Sequence, residues 1–178
     1  MKRIVAALAL ALAAATAGAQ EFPTKSITFV VPFAAGSATD TLARAVGQAI
    51  TNETKQSVVV DNKPGASGMI AASFVAKAPA DGYTVLITTN TTHAANEHLY
   101  KKLSYDPVKD FAPLSGLVKG GQVMVVKNDL PVKTVAEFIA HAKSQPGKLS
   151  YASGGNGGSA HRSRELFKSM AGSDVQHI

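Results

Sequence analysis

From residue 27 onward, apolar and polar positions alternate between two periods. Ile27, Phe29, Val30 and Val31 form a nearly continuous apolar run ending at Pro32, as expected of a parallel strand covered on both faces. After a small-residue turn through Gly36, Leu42, Val46, Ala49 and Ile50 recur at helical spacing. Ser57–Asn62 reads as a second strand, stopped by Lys63-Pro64-Gly65. A helix starting at Ser67 or Gly68 takes its apolar face from Ile70, Phe74 and Val75, and Tyr83–Thr89 forms a third strand after the Ala80-Asp81-Gly82 turn. This order, βαβαβ at short spacing, predicts an α/β chain with a parallel sheet and right-handed crossovers. A polar loop, Asn90-Thr91-Thr92-His93, then leads into a short helix reaching about Tyr100.

Tyr105–Phe111 breaks the alternation with charge and a proline, and a boundary placed there divides the chain into units 20–104 and 105–178. Pro113–Val118 and Gln122–Lys127 read as two strands around Gly120-Gly121, antiparallel because their connection is so short. Thr134 opens a helix with a capping box to Glu137 and an apolar face of Val135, Phe138 and Ile139. Leu149–Ala152 is a short strand. The glycine-rich turn Ser153–His161 follows it, then a helix carrying Leu166, Phe167 and Met170. Asp174–Ile178 reads as the start of a further strand with no evident partner, the pattern of a truncated chain.

The N-terminus changes the setting of this fold. Lys2 and Arg3, the apolar stretch Ile4–Ala15 and the small residues Ala17-Gly18-Ala19 make residues 1–19 a cleavable export signal. The apolar run is too short for a spanning helix, which needs about 20 residues. Absence of cysteine excludes disulfides, thiolate zinc sites, a cysteine nucleophile and a lipid-modified N-terminal cysteine. An exported chain without disulfides suits a bacterial periplasm. Net charge is +6, falling to +4 without Lys2 and Arg3. The basic residues are scattered, with no stripe interleaved with aromatics, which excludes nucleic acid as a partner. The mild positive field suits an anionic ligand, and simple solubility accounts for it equally well.

Candidate chemistry concentrates in two turns. Each joins the C-terminal end of a strand to a helix N-terminus, where unpaired amides and the helix dipole favour an anion. In Phe33–Asp40, the hydroxyls of Ser37 and Thr39 add donors, whereas Asp40 in the first helical turn satisfies the dipole itself and reads as a cap. Ser153–His161 holds four glycines and two serines but fits neither the dinucleotide fingerprint nor a phosphate loop. His93 and His98 diverge by about 140° on a helix and do not share a metal. His161, in a first helical turn, reads as neutral or exposed, and His141 and His177 as surface groups. Asp61 and Asp81 lie beside turn residues and read as turn stabilisers. No metal, cofactor or catalytic constellation is indicated, neither a G-x-S-x-G elbow nor an S-x-x-K box being present.

The segments ITFVVPFAAGSATD (27–40), VVVDNKPGASG (58–68), ADGYTVL (80–86), LYKKLSYDPVKDFAP (99–113) and KLSYASGGNGGSAHRSRELF (148–167) occur in this order. Together they resemble the substrate-binding receptors of tripartite tricarboxylate transporters, the Bug-type receptors. The resemblance implies a two-lobed, type II periplasmic-binding-protein-like α/β architecture that closes on an organic acid by hinge motion. It implies a monomer when complete, delivery of the acid to membrane permease subunits, and contact with a sensor protein as a subsidiary role. Carried over, the pocket comprises Phe33, Ala34, Ala35, Gly36 and Ser37; Thr89, Thr91 and Thr92; and Ser153, Asn156, Gly157 and Ser159. Family members are almost twice as long, so the resemblance also implies that the second lobe is incomplete here. Ser37 stands where the family has a second glycine; its β-carbon restricts backbone approach, or its hydroxyl replaces a water. Met69 stands where a polar residue is common. Two alternatives stay open from sequence: a non-functional fragment of such a receptor, and an exported enzyme acting on an acidic substrate.

Overall fold

The computed structural model describes residues 21–178, and the export-signal reading of residues 1–19 lies outside them. Strands β1 (Ile27–Val31), β2 (Val58–Asn62) and β3 (Thr84–Leu86) form one parallel sheet in the order β2-β1-β3. Ile27 stands opposite Val58 on one side, and Thr28 opposite Thr84 on the other. The central strand carries the apolar run, and Val30 and Val31 are fully buried. Burying each such side chain is worth about 1.5–3 kcal/mol. The third strand is shorter than the apolar pattern suggests, although Ile87 beyond it still donates to Val30 O.

Helix α1 (Ala38–Thr54) crosses from β1 to β2. It is capped by Ser37 Oγ, which accepts from Asp40 N, and ends on Lys55 in the left-handed region. Its buried stripe centres on Ala43 and Gly47, with Val46 and Ile50 packed alongside and Ala49 exposed. Gly47 permits this approach, since a β-carbon there would lie 2.9 Å from Val58 Cγ1.

Helix α2 (Met69–Ala76) corrects one expectation. Ala71 and Ala72 face the sheet, whereas Ile70 and Phe74 stand about half exposed. The helix starts too close to the sheet for large residues. Gly68 is wedged so that a β-carbon would meet Thr92 Cγ2 at 2.6 Å and Pro32 Cβ at 3.1 Å. Lys63 Nζ lies 4.4 Å from the Phe74 ring centre and partly covers it. Beyond β3, a π-helical turn, Thr91–Ala95, runs into α3 (Asn96–Leu99). Tyr105 is buried against this turn, donating to Thr92 O at 2.6 Å. The Phe111 ring packs edge-on against His93 at 4.6 Å. Residues 105–111 therefore strap onto the first unit.

The strands expected at 113–118 and 122–127 are not formed: this stretch is irregular and exposed, including Leu114, Val118, Val123 and Val125. A lone two-stranded hairpin is marginal in water, and no described strand pairs with either segment. A second sheet does form, from β4 (Leu149–Tyr151) and β5 (Val175–His177), parallel and in register Leu149↔Val175. This corrects the expectation that the last strand lacks a partner. Helix α4 (Val135–Ser144) has the expected capping box, with both of its bonds present. Its Phe138 is buried against Phe167 of α5 (Ser159–Ala171), while Val135, Leu166 and Met170 are exposed. The Arg164 guanidinium covers that aromatic pair, 5.0 Å from Phe138 and 4.9 Å from Phe167.

Candidate functional site at the edge of two parallel sheets

In the order β2-β1-β3 the chain leaves β1 in one direction to reach β2 and lies on the other side at β3. The switch point between β1 and β3 is where open parallel sheets hold ligands, just beyond the carboxyl ends of the strands. The loops flanking it here are Pro32–Ser37 and Ile87–Asn90.

The first loop is built by Asp40, which is 2% exposed. Its carboxylate accepts from Gly36 N at 2.9 Å, Arg44 Nε at 3.0 Å and Asn62 Nδ2 at 3.0 Å. Asn62 also donates to Phe33 O, tying the end of β2 to the turn. The bonds from Arg44, Gly36 and Asn62 hold the Asp40 carboxyl well below the usual range, at about 2. Asp40 thus does more than cap: it occupies the Gly36 amide and leaves that amide unavailable to a ligand. Ser37 N donates to Ala34 O. The amides of Ala34, Ala35, Ala38 and Thr39 carry no bond to a described residue, and Ala34, Ala35 and Ala38 are exposed. With its oxygen already accepting from Asp40 N, the Ser37 hydroxyl keeps its own proton free to donate.

The loop after β3 divides into exposed and buried parts. Asn90 is exposed and Thr89 partly so, whereas Thr91 and Thr92 are each 1% exposed. Thr92 Oγ1 lies within hydrogen-bond distance of Thr88 Oγ1, Thr89 O and His93 Nδ1. Burial pushes the His93 imidazole toward its neutral form. Neither Thr91 nor Thr92 presents its hydroxyl to solvent: Thr92 braces the loop from behind, and Thr91 Oγ1 is buried without a partner among the described residues.

The glycine loop, Ser153–Ser159, leaves the carboxyl end of β4 and is docked against these elements. Ser67 Oγ donates to Asn156 O at 2.6 Å, and so accepts from Tyr100 Oη at 2.8 Å. Ser159 Oγ and Arg162 Nη2 both donate to Asn90 Oδ1, at 3.4 and 2.9 Å. Gly157 is buried and packs against Leu99, with its φ of +74° in the left-handed region. Its amide is already spent on His161, and the Ser153 hydroxyl pairs with His177. Free of bonds to described residues are the amides of Gly154, Asn156, Ser159 and Ala160, the last two opening α5. His177 is therefore a structural partner of this loop, not the plain surface group its sequence suggested.

Of the sequence-derived residues, Ala34, Ala35 and Ser37 lie on the first loop, Thr89 precedes Asn90, Asn156 and Ser159 lie on the glycine loop, and Phe33 and Gly36 shape the first turn. Sequence reading placed Asn90 inside the carried-over stretch 89–92 without singling it out, and missed Ser67, Asn62 and Arg162. Asn90 was legible as the first polar residue past a parallel strand, and Arg162 as lying one helical turn beyond Ser159. Two surface hollows, one beside Arg44, Gln48 and Val60 and one beside Phe22, Lys25 and Tyr83, lie away from these loops. Among the described residues no group of three or more His, Asp or Glu is placed to hold a metal.

Comparison with known proteins gives a consistent assignment. The model of the tripartite tricarboxylate transporter family receptor matches residues 42–178. A UPF0065 protein of Bordetella pertussis is 37% identical over 99% of this chain, and BugT of the same organism 31% over the whole chain. A solved periplasmic transporter superposes with a TM-score of 0.85 at 42% identity over 89% of the chain. R. palustris Rpa4515, solved with adipate, gives 0.80 at 40% over 89%, and MatC of Rhodopseudomonas palustris, solved with malate, 0.81 at 33% over 88%. The chain spans about half the length of these relatives, 53–56% of each. On this evidence the chain, α/β in fold, belongs to the tripartite tricarboxylate transporter receptor family.

Proposed function

We propose that this chain forms the acid-gripping part of a periplasmic receptor for a small di- or tricarboxylate, exported by a cleavable signal and serving membrane permease subunits. The family that matches is a family of receptors, and two of the similar proteins were solved with the dicarboxylates adipate and malate. One observation carries the reading: the glycine loop is docked against the switch-point edge of the first sheet through Asn90 and Ser67. Each loop opens a helix N-terminus with unspent amides, and this docking supports a reading in which both serve one site. A carboxylate placed there would take its bonds from the Ala34 and Ala35 amides and the Ser37 hydroxyl on one side. On the other it would meet the Asn156 and Ser159 amides, while Arg162 stands beside Asn90. Charge-assisted bonds of this kind are roughly twice as strong as neutral ones. The division into two lobes belongs to the same proposal, with 105–111 as the strap between them.

Calorimetric titration with adipate, malate and citrate tests this reading. Binding of at least one acid is expected, and Ser37→Glu is expected to abolish it by placing negative charge where the carboxylate sits. Absence of heat with every acid, or an unchanged affinity in the variant, would contradict it.

A further inference from the structure

His161 stands in the first turn of α5, and its Nδ1 accepts from Gly157 N at 3.1 Å. A backbone amide only donates, so this nitrogen carries a lone pair and the ring is neutral, with its proton on Nε2. His177, from β5, places its ring 4.7 Å from that of His161 and its Nε2 2.8 Å from Ser153 Oγ. The two imidazoles thus hold the glycine loop at both ends, Ser153 and Gly157. Tyr151 from β4 packs against both, 4.9 Å from His177 and stacked at 6.4 Å on His161.

The other charged groups facing the pair are few. Tyr151 donates to Glu165 Oε1 at 2.7 Å, and burial together with this carboxylate pushes the phenol up to about 12. Glu165, held below its ordinary range by Tyr151, Lys168 and His161, lies one turn beyond His161 on α5 and is the carboxylate that faces the pair. Arg164 lies over the Tyr151 ring at 5.6 Å, and Arg162 turns away to Asn90. Among the described residues no carboxylate forms an ion pair with His161 or His177.

We propose that His161 is a positioning residue for the glycine loop, and that the closed loop is coupled to deprotonation of the His161–His177 pair. Protonating His161 at Nδ1 sets N–H against N–H across 3.1 Å, so Gly157 loses its acceptor. Two imidazolium rings 4.7 Å apart repel, and the positive end of α5 disfavours the added charge. All three effects release the loop in acid. The inference concerns the loop itself and holds whether or not an acid binds; failure of the receptor reading would leave it standing.

Nuclear magnetic resonance of the isotope-labelled chain between pH 8 and 5 tests it, following the Gly157 amide and the His161 ring. In the wild type the amide is expected to move with the ring. Its exchange, corrected for intrinsic pH dependence, should rise about two- to twelve-fold, the range that one hydrogen bond of ordinary net strength spans. In His161→Asn, whose Oδ1 accepts in place of Nδ1 without titrating, the amide is expected to keep its alkaline position at every pH. In His161→Phe it should look released throughout. A Gly157 amide that ignores the ring in the wild type, or titrates unchanged in His161→Asn, would overturn the proposal.

Discussion

Replacing Gly68 by alanine probes the junction on which the site depends. Gly68 has a φ of +82°, and a β-carbon there would lie 2.6 Å from Thr92 Cγ2 and 3.1 Å from Pro32 Cβ. Neither neighbour can step aside, since Thr92 is 1% exposed and Pro32 fully buried. The left-handed backbone costs an L-residue about 1–2 kcal/mol, and forced overpacking about 1–3 kcal/mol more. Gly68→Ala should therefore destabilise by about 2–5 kcal/mol. For a chain of this size that is a fall of about 4–20 °C in melting temperature. Circular dichroism melts and urea titrations read it directly. Thr92→Ser removes the nearer methyl while keeping the hydroxyl, so adding it to Gly68→Ala should restore part of the steric term and none of the backbone term. A loss below about 1 kcal/mol, or no recovery in the double variant, would refute the packing of α2 onto the loops after β1 and β3.

Further outcomes follow from the same geometry. Tyr105→Phe strips the hydroxyl that donates to Thr92 O and accepts from Asn96 Nδ2. It should cost about 1–3 kcal/mol for the stranded partners, measured by urea midpoint; a neutral variant would contradict the strap. Asp40, held at about 2 against an ordinary 3.8, stabilises the fold above its ordinary value. That contribution is lost as pH falls toward 2, since the depressed group must then take up a proton. Asp40→Asn should flatten part of the acid slope of the melting temperature between about pH 4 and 2, and an unchanged slope would count against the Asp40 network.

Much of this architecture was legible because it is local. The run Ile27–Val31, the helical spacing after Gly36 and the capping box at Thr134 each record a nearest-neighbour preference. The two anion-suited turns were legible for the same reason, as strand ends feeding helix starts. Failures came where a distant partner decides. Val123 and Val125 have the alternation of a strand, yet a strand needs a neighbour, and no described segment supplies one. Ile70 and Phe74 sit at helical spacing, but the left-handed turn at Ala66, Ser67 and Gly68 sets α2 so close to the sheet that alanines face it. The bonds of Asn90 to Ser159 and Arg162 span about seventy residues, and no local pattern announces them. Thr92 entered the expected pocket through the family resemblance alone. Its burial reflects the π-helical turn, which rotates it inward.

The most direct test of the central claim is an amide map of the labelled chain titrated with adipate and malate. The account predicts shifts concentrated at Ala34, Ala35, Ala38 and Thr39 together with Gly154, Asn156, Ser159 and Ala160. Shifts confined to the hollow beside Phe22 and Tyr83 or to that beside Arg44 and Val60, or no shifts with either acid, would contradict it.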